Sequence, residues 1–374
     1  MSKLTMLLRK PKAFFRDAKA ILKQNAAWSA AVERAGRDAP TAVLFGFARW
    51  KTFILDYLED YNVAVASFGS AATEAQLLDI GRHASPHVFT WSYKSSPDLP
   101  LFCKRHGIPL TYVEDGFIRS FGLGADRTSP ASLVFDQRAM HFDRLRVSQL
   151  EQILSSYDFQ GDDALMGHAA RLAKRMKENG LSKYSFLSKR SVNEVLAPGK
   201  EHVLVLGQVE DDLSIRFGAE RVVSGNELVM LAAEENPHAQ ILYRPHPESL
   251  AFSKPHYSNP RLVDDVCTIL GSEFAIGDCL ESADVVYTVT SLAGFEAALR
   301  GKPVVTLGAP FYAGWGFTEN RLATPTRTRR LGALEVLAGA YLKYPRYNGI
   351  HPEQTGKEEA ILRKVEELLP PEAL

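Results

Sequence analysis

The chain has 374 residues, with 44 Lys and Arg against 44 Asp and Glu, and 45% of its residues are apolar. Its length predicts about two domains, and its ordinary composition excludes a disordered, collagen-like or coiled-coil chain. The zero net charge argues against nucleic acid as a partner, and no apolar run reaches the roughly 18 residues that span a bilayer.

The first predicted element is a basic amphipathic arm over residues 1–37. Residues 1–24 hold seven basic residues and one acid, so the rest of the chain is net acidic by six. Apolar side chains recur at helical spacing before and after Pro11, which predicts two short helices. No uninterrupted apolar stretch follows the charges, which argues against a secretory signal. We expect the arm to lie on an anionic membrane surface; a helix docked on the protein body is the alternative.

After the arm, short apolar strands alternate with helices. Strands are predicted at Ala42–Phe45, Val63–Phe68, His87–Trp91, Pro109–Val113, Leu133–Phe135, His202–Leu206, Gln240–Tyr243, Phe274–Ile276, Val285–Val289 and Pro303–Leu307. Helices are predicted at Thr52–Tyr61, Glu74–Arg82, within Ser148–Glu178, and at Gly225–Asn236, Gly294–Arg300 and Lys357–Leu369. This alternation predicts an α/β protein in which helices cover parallel sheets.

We expect two Rossmann-like domains after the arm. The first covers residues 38–180, and the second covers residues 200–374 and ends in a helix. In such folds ligands bind in the cleft that the domains face, outside the carboxyl ends of the strands. Three widely spaced cysteines (Cys103, Cys267 and Cys279) indicate neither a disulfide framework nor a zinc ribbon.

Four polar motifs follow predicted strands. In the first, a strand delivers Glu114 and Asp115, and Gly116 then permits a sharp turn. Arg119 is near enough in sequence to keep one of the two carboxylates ionised. A fixed carboxylate of this kind suits a general base that accepts a hydroxyl proton. An Asp-Gly turn with a surface Glu is the simpler alternative.

The second motif is an acidic run, Glu210-Asp211-Asp212, which follows Gln208 after a strand. Three adjacent acids repel one another, so the motif favours a role other than stability. A metal site, a helix cap and catalytic carboxylates are all consistent with it.

The third motif is Arg244-Pro245-His246-Pro247. Two prolines restrict the loop around His246, and Arg244 adds a permanent charge. A rigid imidazole beside a guanidinium suits a phosphate or a departing phosphate oxygen.

The fourth motif ends a strand in Thr290 and Ser291 and then begins a helix that contains Gly294 and Glu296. Backbone N–H groups at a helix start form a phosphate cradle, although a Ser/Thr N-cap followed by an acid is also a common structural device. Downstream, residues 308–316 (the aromatic loop) suit stacking against a base or a sugar ring. Together the four motifs favour a nucleotide-sugar glycosyltransferase with a GT-B-like cleft.

The motifs VEDGFIRSFGLGA, GQVEDDLSIRFG, YRPHPE and TSLAGFEAALRGKPVVTLGAPFYAGWGFTEN closely resemble those of the capsule-synthesis β-Kdo transferases of Gram-negative bacteria (KpsC type). The resemblance runs from about residue 44 to residue 320. It implies retaining transfer of 3-deoxy-D-manno-octulosonic acid (Kdo) from CMP-β-Kdo to a lipid-linked Kdo acceptor. Because the donor carries a single phosphate diester, the resemblance implies no metal or other cofactor.

The resemblance also implies residue roles. Asp212 is the expected nucleophile, Glu114 or Asp115 the base for the acceptor hydroxyl, and His246 the group that stabilises departing CMP. The donor-binding residues are expected to be Gln208, Arg244, His246, Pro247, Thr290, Ser291, Gly294 and Glu296. The expected location is the cytoplasmic face of the inner membrane, as a peripheral protein beside capsule-assembly proteins.

Three alternatives stay open. One is an inverting transferase of the CMP-sialic-acid type with Asp115 as its base. A second is a metal-dependent enzyme for a nucleoside-diphosphate sugar, with the metal on Glu210-Asp211-Asp212. The third is a non-catalytic capsule-assembly subunit that binds nucleotide or glycan.

Overall fold

Parallel strands alternate with helices along most of the chain, so the α/β class is confirmed. A computed structural model describes residues 11–36, 38–67, 74–118, 129–178, 190–246, 258–351 and 354–367. The described residues form two compact units. The first contains those within 1–114, 124–129 and 135–137, and the second contains those within 115–123, 130–134 and 138–374. The boundaries predicted at residues 37, 180 and 200 stay a prediction.

The first unit is built on four parallel strands in the order β2-β1-β3-β4. Apolar side chains of these strands pack with Leu99 and Cys103 of the third helix into a buried core. That helix ends at Gly107, whose φ of 64° is the left-handed conformation that glycine adopts most readily. The strands are β1 (Thr41–Phe45), β2 (Asn62–Ser67), β3 (Pro86–Trp91) and β4 (Leu110–Asp115). The helices are α1 (Pro11–Ala30), α2 (Glu74–Ile80) and α3 (Asp98–His106), with a 3-10 helix at Thr52–Tyr57.

The second unit contains a sheet of six strands in the order β11-β10-β9-β6-β7-β8, all parallel. The central strand β6 is buried along Val203–Leu206, as expected of a strand with a neighbour on each side. This unit also contains the antiparallel pairing of β5 with β12, in which Leu133 lies opposite Arg346. The strands are β5 (Ser132–Asp136, whose last two residues belong to the first unit), β6 (His202–Leu206), β7 (Gln240–Arg244), β8 (Thr268–Ile269), β9 (Val285–Thr288), β10 (Val304–Thr306), β11 (Glu319–Asn320) and β12 (Pro345–Tyr347).

The helices of the second unit surround these strands. They are α4 (Gln149–Ser156), α5 (Asp163–Glu178), α6 (Leu213–Gly218), α7 (Gly225–Glu235), α8 (Ile276–Ser282), α9 (Leu292–Leu299), α10 (Ala333–Leu337) and α11 (Lys357–Glu367). A π-helical turn, Ala338–Lys343, continues α10. Two short 3-10 helices lie at Val192–Glu194 and Pro260–Val263.

Nine of the ten predicted strands are present, with ends within about two residues of the prediction. The prediction of a strand at Phe274–Ile276 is wrong, because Ala275 is the N-cap of α8 and Ile276 is its first residue. A short apolar run does not distinguish a strand from the buried start of a helix. The edge strands β8, β11 and β12 and the helices α3, α6, α8 and α10 are absent from the prediction.

The basic helix α1 is bonded to the rest of the first unit near its C-terminal end. Trp28 is buried and its Nε1 donates to the carbonyl of Arg49 at 2.8 Å, while the guanidinium of Arg49 donates to Asn25 at 2.8 Å. About two turns before Trp28, Ile21 and Leu22 are exposed. Among the described residues, no helix combines the length and the apolar character needed to cross a membrane. Residues 1–10 lie outside the described part of the chain.

Candidate functional site

The predicted polar motifs of the second unit meet at one edge of its sheet. All six strands run in the same direction, so their carboxyl ends lie on the same side. The loops after β6, β7, β9 and β10 all begin there. This is the edge at which open parallel sheets bind their ligands.

A hydrogen-bond network joins the loop after β6 to the loop after β9. The amide of Gln208 accepts from the Thr290 backbone N–H at 2.7 Å, and its Nε2 donates to Thr290 Oγ1 at 3.1 Å. The hydroxyl of Ser214 lies 3.1 Å from the same Thr290 Oγ1. The structure therefore brings together Gln208 and Thr290, both predicted donor-binding residues, and adds Ser214, which the sequence did not single out.

The three acids after β6 have different surroundings. Glu210 accepts from the backbone N–H of Ser258 at 3.2 Å and from its hydroxyl. Asp212 is the N-cap of α6, and its Oδ1 accepts from the Ser214 N–H at 2.7 Å. Asp211 and Asp212 are both exposed. The cap explains the position of Asp212, and the bonds to Ser258 explain that of Glu210.

The side chain of Arg244 turns toward the backbone that follows β8. Its Nη1 donates to the carbonyl of Leu270 at 2.9 Å and to that of Gly271. Burial lowers the pKa of this guanidinium. Arg244 thus fixes the end of β8, and its predicted contact with the donor phosphate stays a prediction. His246 follows β7 and is partly buried, whereas Pro247 lies outside the described residues.

The helix α9 starts at the same edge with Ser291 as its N-cap. Its Oγ accepts from the Ala293 N–H at 3.3 Å, and its own N–H donates to Thr288 Oγ1 at 3.1 Å. The buried Tyr312 of the aromatic loop donates its hydroxyl to the carbonyl of Ser291 at 2.6 Å. Burial raises the pKa of Tyr312 far above its usual value, so it remains a donor.

Gly294 and Glu296 of α9 face the interior of the second unit. A Cβ on Gly294 would lie 2.4 Å from the Tyr312 hydroxyl and 2.8 Å from Thr288 Cγ2. This close packing is a sufficient reason for glycine at the position. Glu296 is 2% exposed, and its charge contributes to raising the pKa of the buried Tyr341 after desolvation, the larger cause. The donor contacts predicted for both residues stay predictions.

The first motif is split between the units. Glu114 belongs to the first unit and Asp115 to the second, and Arg119 lies outside the described residues. In the second unit the Gly116 N–H donates to the Ser132 carbonyl at 2.9 Å, and a Cβ on Gly116 would lie 2.1 Å from Ser132 Oγ.

Phe117, which ends this motif, packs into an aromatic cluster of the second unit. Its ring centroid lies 4.5 Å from that of Phe311 in the aromatic loop, 4.8 Å from His141 and 5.3 Å from Tyr341. His141 and Tyr341 were not predicted to be near the site. Both stand outside the four motifs, and only the fold brings them to Phe117.

Acidic, histidine and cysteine side chains do not gather into a group of three able to hold a metal ion anywhere in the described residues. The acids of the second motif diverge toward Ser258 and toward α6. This divergence gives no support to the alternative of a metal site on them.

The chain was compared with known proteins. Residues 88–348 match the family described as "Capsule polysaccharide biosynthesis protein". The lipopolysaccharide-processing protein LpsZ of Rhizobium meliloti is 38% identical over 334 residues, which are 89% of this chain and 75% of LpsZ. The capsule polysaccharide modification protein LipA of Neisseria meningitidis serogroup B is 36% identical over 310 residues. These cover 82% of this chain but 42% of LipA.

Two solved structures have a similar fold. The beta Kdo 2,4 transferase of Thermosulfurimonas dismutans KpsC is 30% identical with a TM-score of 0.69, over 87% of this chain and 98% of that one. The beta Kdo 2,7 transferase of the same KpsC is 27% identical with a TM-score of 0.65, over 88% and 99%. These are GT-B folds, and the predicted GT-B-like class is confirmed.

Proposed function

Because this chain belongs to the family of capsule polysaccharide biosynthesis proteins, we propose that it is a glycosyltransferase that moves Kdo from CMP-β-Kdo to a lipid-linked Kdo oligosaccharide. The likeness to both KpsC β-Kdo transferases over most of the chain supports this substrate class. The chain spans less than half of LipA, so the proposal concerns the reaction of this chain alone.

Within the candidate site, one observation supports the proposal. The bonds of Gln208 to Thr290 hold the loop after β6 against the start of α9, so an acidic loop and a helix N-terminus share one sheet edge. The N-terminus of a helix favours an anion such as the CMP phosphate. The exposed Asp212 then stands in the loop next to the proposed phosphate cradle.

We propose retention by two displacements. In the first step a carboxylate oxygen of Asp212 attacks the anomeric carbon, and the bond from that carbon to the CMP phosphate oxygen breaks, its electron pair leaving with CMP. In the second step the acceptor hydroxyl attacks the same carbon and releases the Asp212 carboxylate. The proton of the acceptor hydroxyl goes to Glu114 or Asp115. Two inversions give net retention.

The proposed leaving group needs little charge compensation. CMP departs as a phosphate monoester, and His246 with the N–H groups at the start of α9 would stabilise its developing charge. We propose that no metal ion takes part. The acceptor would be confined to a membrane, and the basic arm would hold the enzyme at the inner face of that membrane as a peripheral protein.

The direct experiment incubates the purified chain with CMP-Kdo, generated in place, and a synthetic Kdo-terminated acceptor. We expect a product one Kdo heavier by mass spectrometry, β-linked by NMR, and formed at an unchanged rate in EDTA. An inverted anomeric centre would replace the proposal with the sialyltransferase-like alternative. Absence of both transfer and donor hydrolysis would favour a non-catalytic binding subunit.

A further inference from the structure

A buried ion pair lies behind the aromatic loop. Arg327 and Glu151 are 7% and 6% exposed, and Arg327 Nε lies 3.0 Å from Glu151 Oε2. The Nη1 of Arg327 donates to two carbonyls of the loop, those of Pro310 and of Ala313, the latter at 2.8 Å. One guanidinium therefore ties the loop to α4.

The aromatic loop needs such an external support. Gly314 and Gly316 have φ values of 87° and 103°, which other residues rarely adopt. The preferences of the chain alone do not select this conformation. A planar guanidinium with fixed donor directions holds carbonyls in one geometry. A buried ion pair is a weak source of net stability, whereas two bonds to a single loop fix its shape.

The aromatic loop contacts the start of α9 and so helps to fix where that helix begins. Tyr312 lies between the two carbonyls that Arg327 holds, and its ring stacks on Phe295 of α9 with centroids 5.6 Å apart. Its hydroxyl donates to the carbonyl of Ser291, the N-cap residue. A continuous series of contacts thus leads from Glu151 through Arg327 and Tyr312 to Ser291.

We infer that Arg327, oriented by Glu151, is a positioning residue for the donor site and sets donor affinity through Tyr312 and Ser291. This inference rests on the proposed function, in which Ser291 belongs to the cradle for the CMP phosphate. Arg327 lies outside the four motifs, and no pattern in the neighbouring residues predicted a role for it.

The test uses Arg327→Lys and a matched control, Arg329→Lys. Arg329 also donates to backbone carbonyls of the α4 region, those of Leu154 and Tyr157, but is not bonded to the aromatic loop. Both variants keep the charge and lose the guanidinium fork. Tyr312→Phe removes only the hydroxyl that bonds Ser291. Circular dichroism and thermal melting establish that each variant is folded.

Two measurements are made on each folded full-length variant. Calorimetric titration with CMP is expected to show about tenfold weaker binding for Arg327→Lys and Tyr312→Phe, and a change below about twofold for Arg329→Lys. Steady-state assays are expected to show a raised donor KM with an unchanged acceptor KM. Hydrogen exchange at residues 289–294 and 308–316 is expected to be faster in Arg327→Lys and not in Arg329→Lys.

The outcomes separate the two ideas. If the native chain fails to bind CMP, the proposed function is wrong, and exchange at residues 289–294 alone then decides whether Arg327 positions the start of α9. If the native chain binds CMP and folded Arg327→Lys binds it equally well, the inference is overturned and the proposed function stands. Equal losses in Arg327→Lys and Arg329→Lys would assign both arginines a merely structural role.

Discussion

At the scale of single residues, Asp212 combines a structural contact with the proposed chemistry. One carboxylate oxygen caps α6, and the other accepts no hydrogen bond from the described residues. The cap holds the carboxylate in one orientation and leaves its second oxygen available. This arrangement suits a nucleophile, which has to reach within about 3–3.5 Å of the anomeric carbon.

Asp212→Asn is expected to abolish turnover and to leave CMP affinity within a few fold, because Asn caps a helix as well as Asp does but is not a comparable nucleophile. Asp212→Ala is expected to lose turnover and also about 1 kcal/mol of unfolding free energy with the cap. Transfer assays and chemical denaturation measure the two effects. Turnover retained in Asp212→Asn would refute the nucleophilic role.

Gly294→Ala is expected to destabilise the protein by about 1–3 kcal/mol, because the new methyl group would overlap the Tyr312 hydroxyl and Thr288. The matched control is Gly167→Ala, in a helix whose glycine faces open space. There the same change is expected to stabilise by about 0.5–1 kcal/mol. Chemical denaturation measures the free energy of unfolding of both variants. An unchanged value for Gly294→Ala would show that the neighbouring side chains move aside for the methyl group at little cost.

The sequence located the polar residues at the strand ends, but it did not fix where each side chain turns. A polar group that follows an apolar run is placed at a sheet edge by the strand itself, which is why Gln208 and Thr290 were found. Arg244 turns to carbonyls after β8, a strand too short to be recognised from its own residues. Arg327 and His141 become relevant only through contacts between distant segments, and so does the bond to Ser291 of Tyr312, which lies in the predicted aromatic loop.

At the scale of elements, local patterns predicted the strands of four or more residues and missed most of the shorter ones at the sheet edges. The strand β6 is predicted to the residue, because the apolar run Val203–Leu206 follows His202 and ends at Gly207. The strands β8, β11 and β12 have two or three residues each, which is too few for a period to show. The order of the strands in each sheet is a property of the folded chain and has no local signal.

The start of α7 illustrates a local pattern with a measurable consequence. The Ser224 hydroxyl accepts from the Glu227 N–H at 3.1 Å, and the Glu227 carboxylate accepts from the Ser224 N–H at 2.8 Å. This backbone bond, the largest cause, lowers the pKa of Glu227 from 4.5. A lowered folded-state pKa means that the stabilisation is complete above about pH 4.5 and is lost as the pH falls through the folded value.

Glu227→Gln is therefore expected to lower the thermal midpoint at pH 7, where the wild-type carboxylate is charged and lies at a helix N-terminus. The difference from wild type is expected to shrink toward pH 3, below the ordinary Glu pKa of 4.5. The control is Glu234→Gln, in the last turn of the same helix, where a negative charge is unfavourable. Melting curves followed by circular dichroism at both pH values provide the measurement. A difference that persists at pH 3 would contradict the assignment to charge.

At the scale of the whole molecule, the helix α1 is anchored near its C-terminal end and is exposed over residues 19–23. Asn25 and Trp28 are bonded to Arg49 within the first unit, whereas Lys19, Ile21, Leu22 and Lys23 are exposed. The exposed part is apolar and basic together, the combination that binds anionic lipid surfaces. Within the described part of the predicted arm, residues 19–23 are thus exposed, and Asn25 and Trp28 anchor the helix.

Deleting residues 1–24 is expected to weaken binding to anionic liposomes while sparing transfer to a short soluble acceptor, because the deletion stops before the anchoring contacts. The matched control replaces Lys19 and Lys23 with Gln, which removes charge and keeps the helix. Liposome sedimentation at low and high salt measures the electrostatic contribution to liposome binding. Unchanged liposome binding after the deletion would make the arm part of the fold and nothing more.

The pairing of β5 with β12 has a consequence for synthesis. Ser132–Val134 pairs with Pro345–Tyr347, and all the strands from β6 to β11 lie between them in the chain. While those strands are being synthesised, this edge of β5 lacks its partner, and its backbone groups are open to contact with other chains. Binding of a chaperone to that edge would protect the nascent chain until β12 has been made.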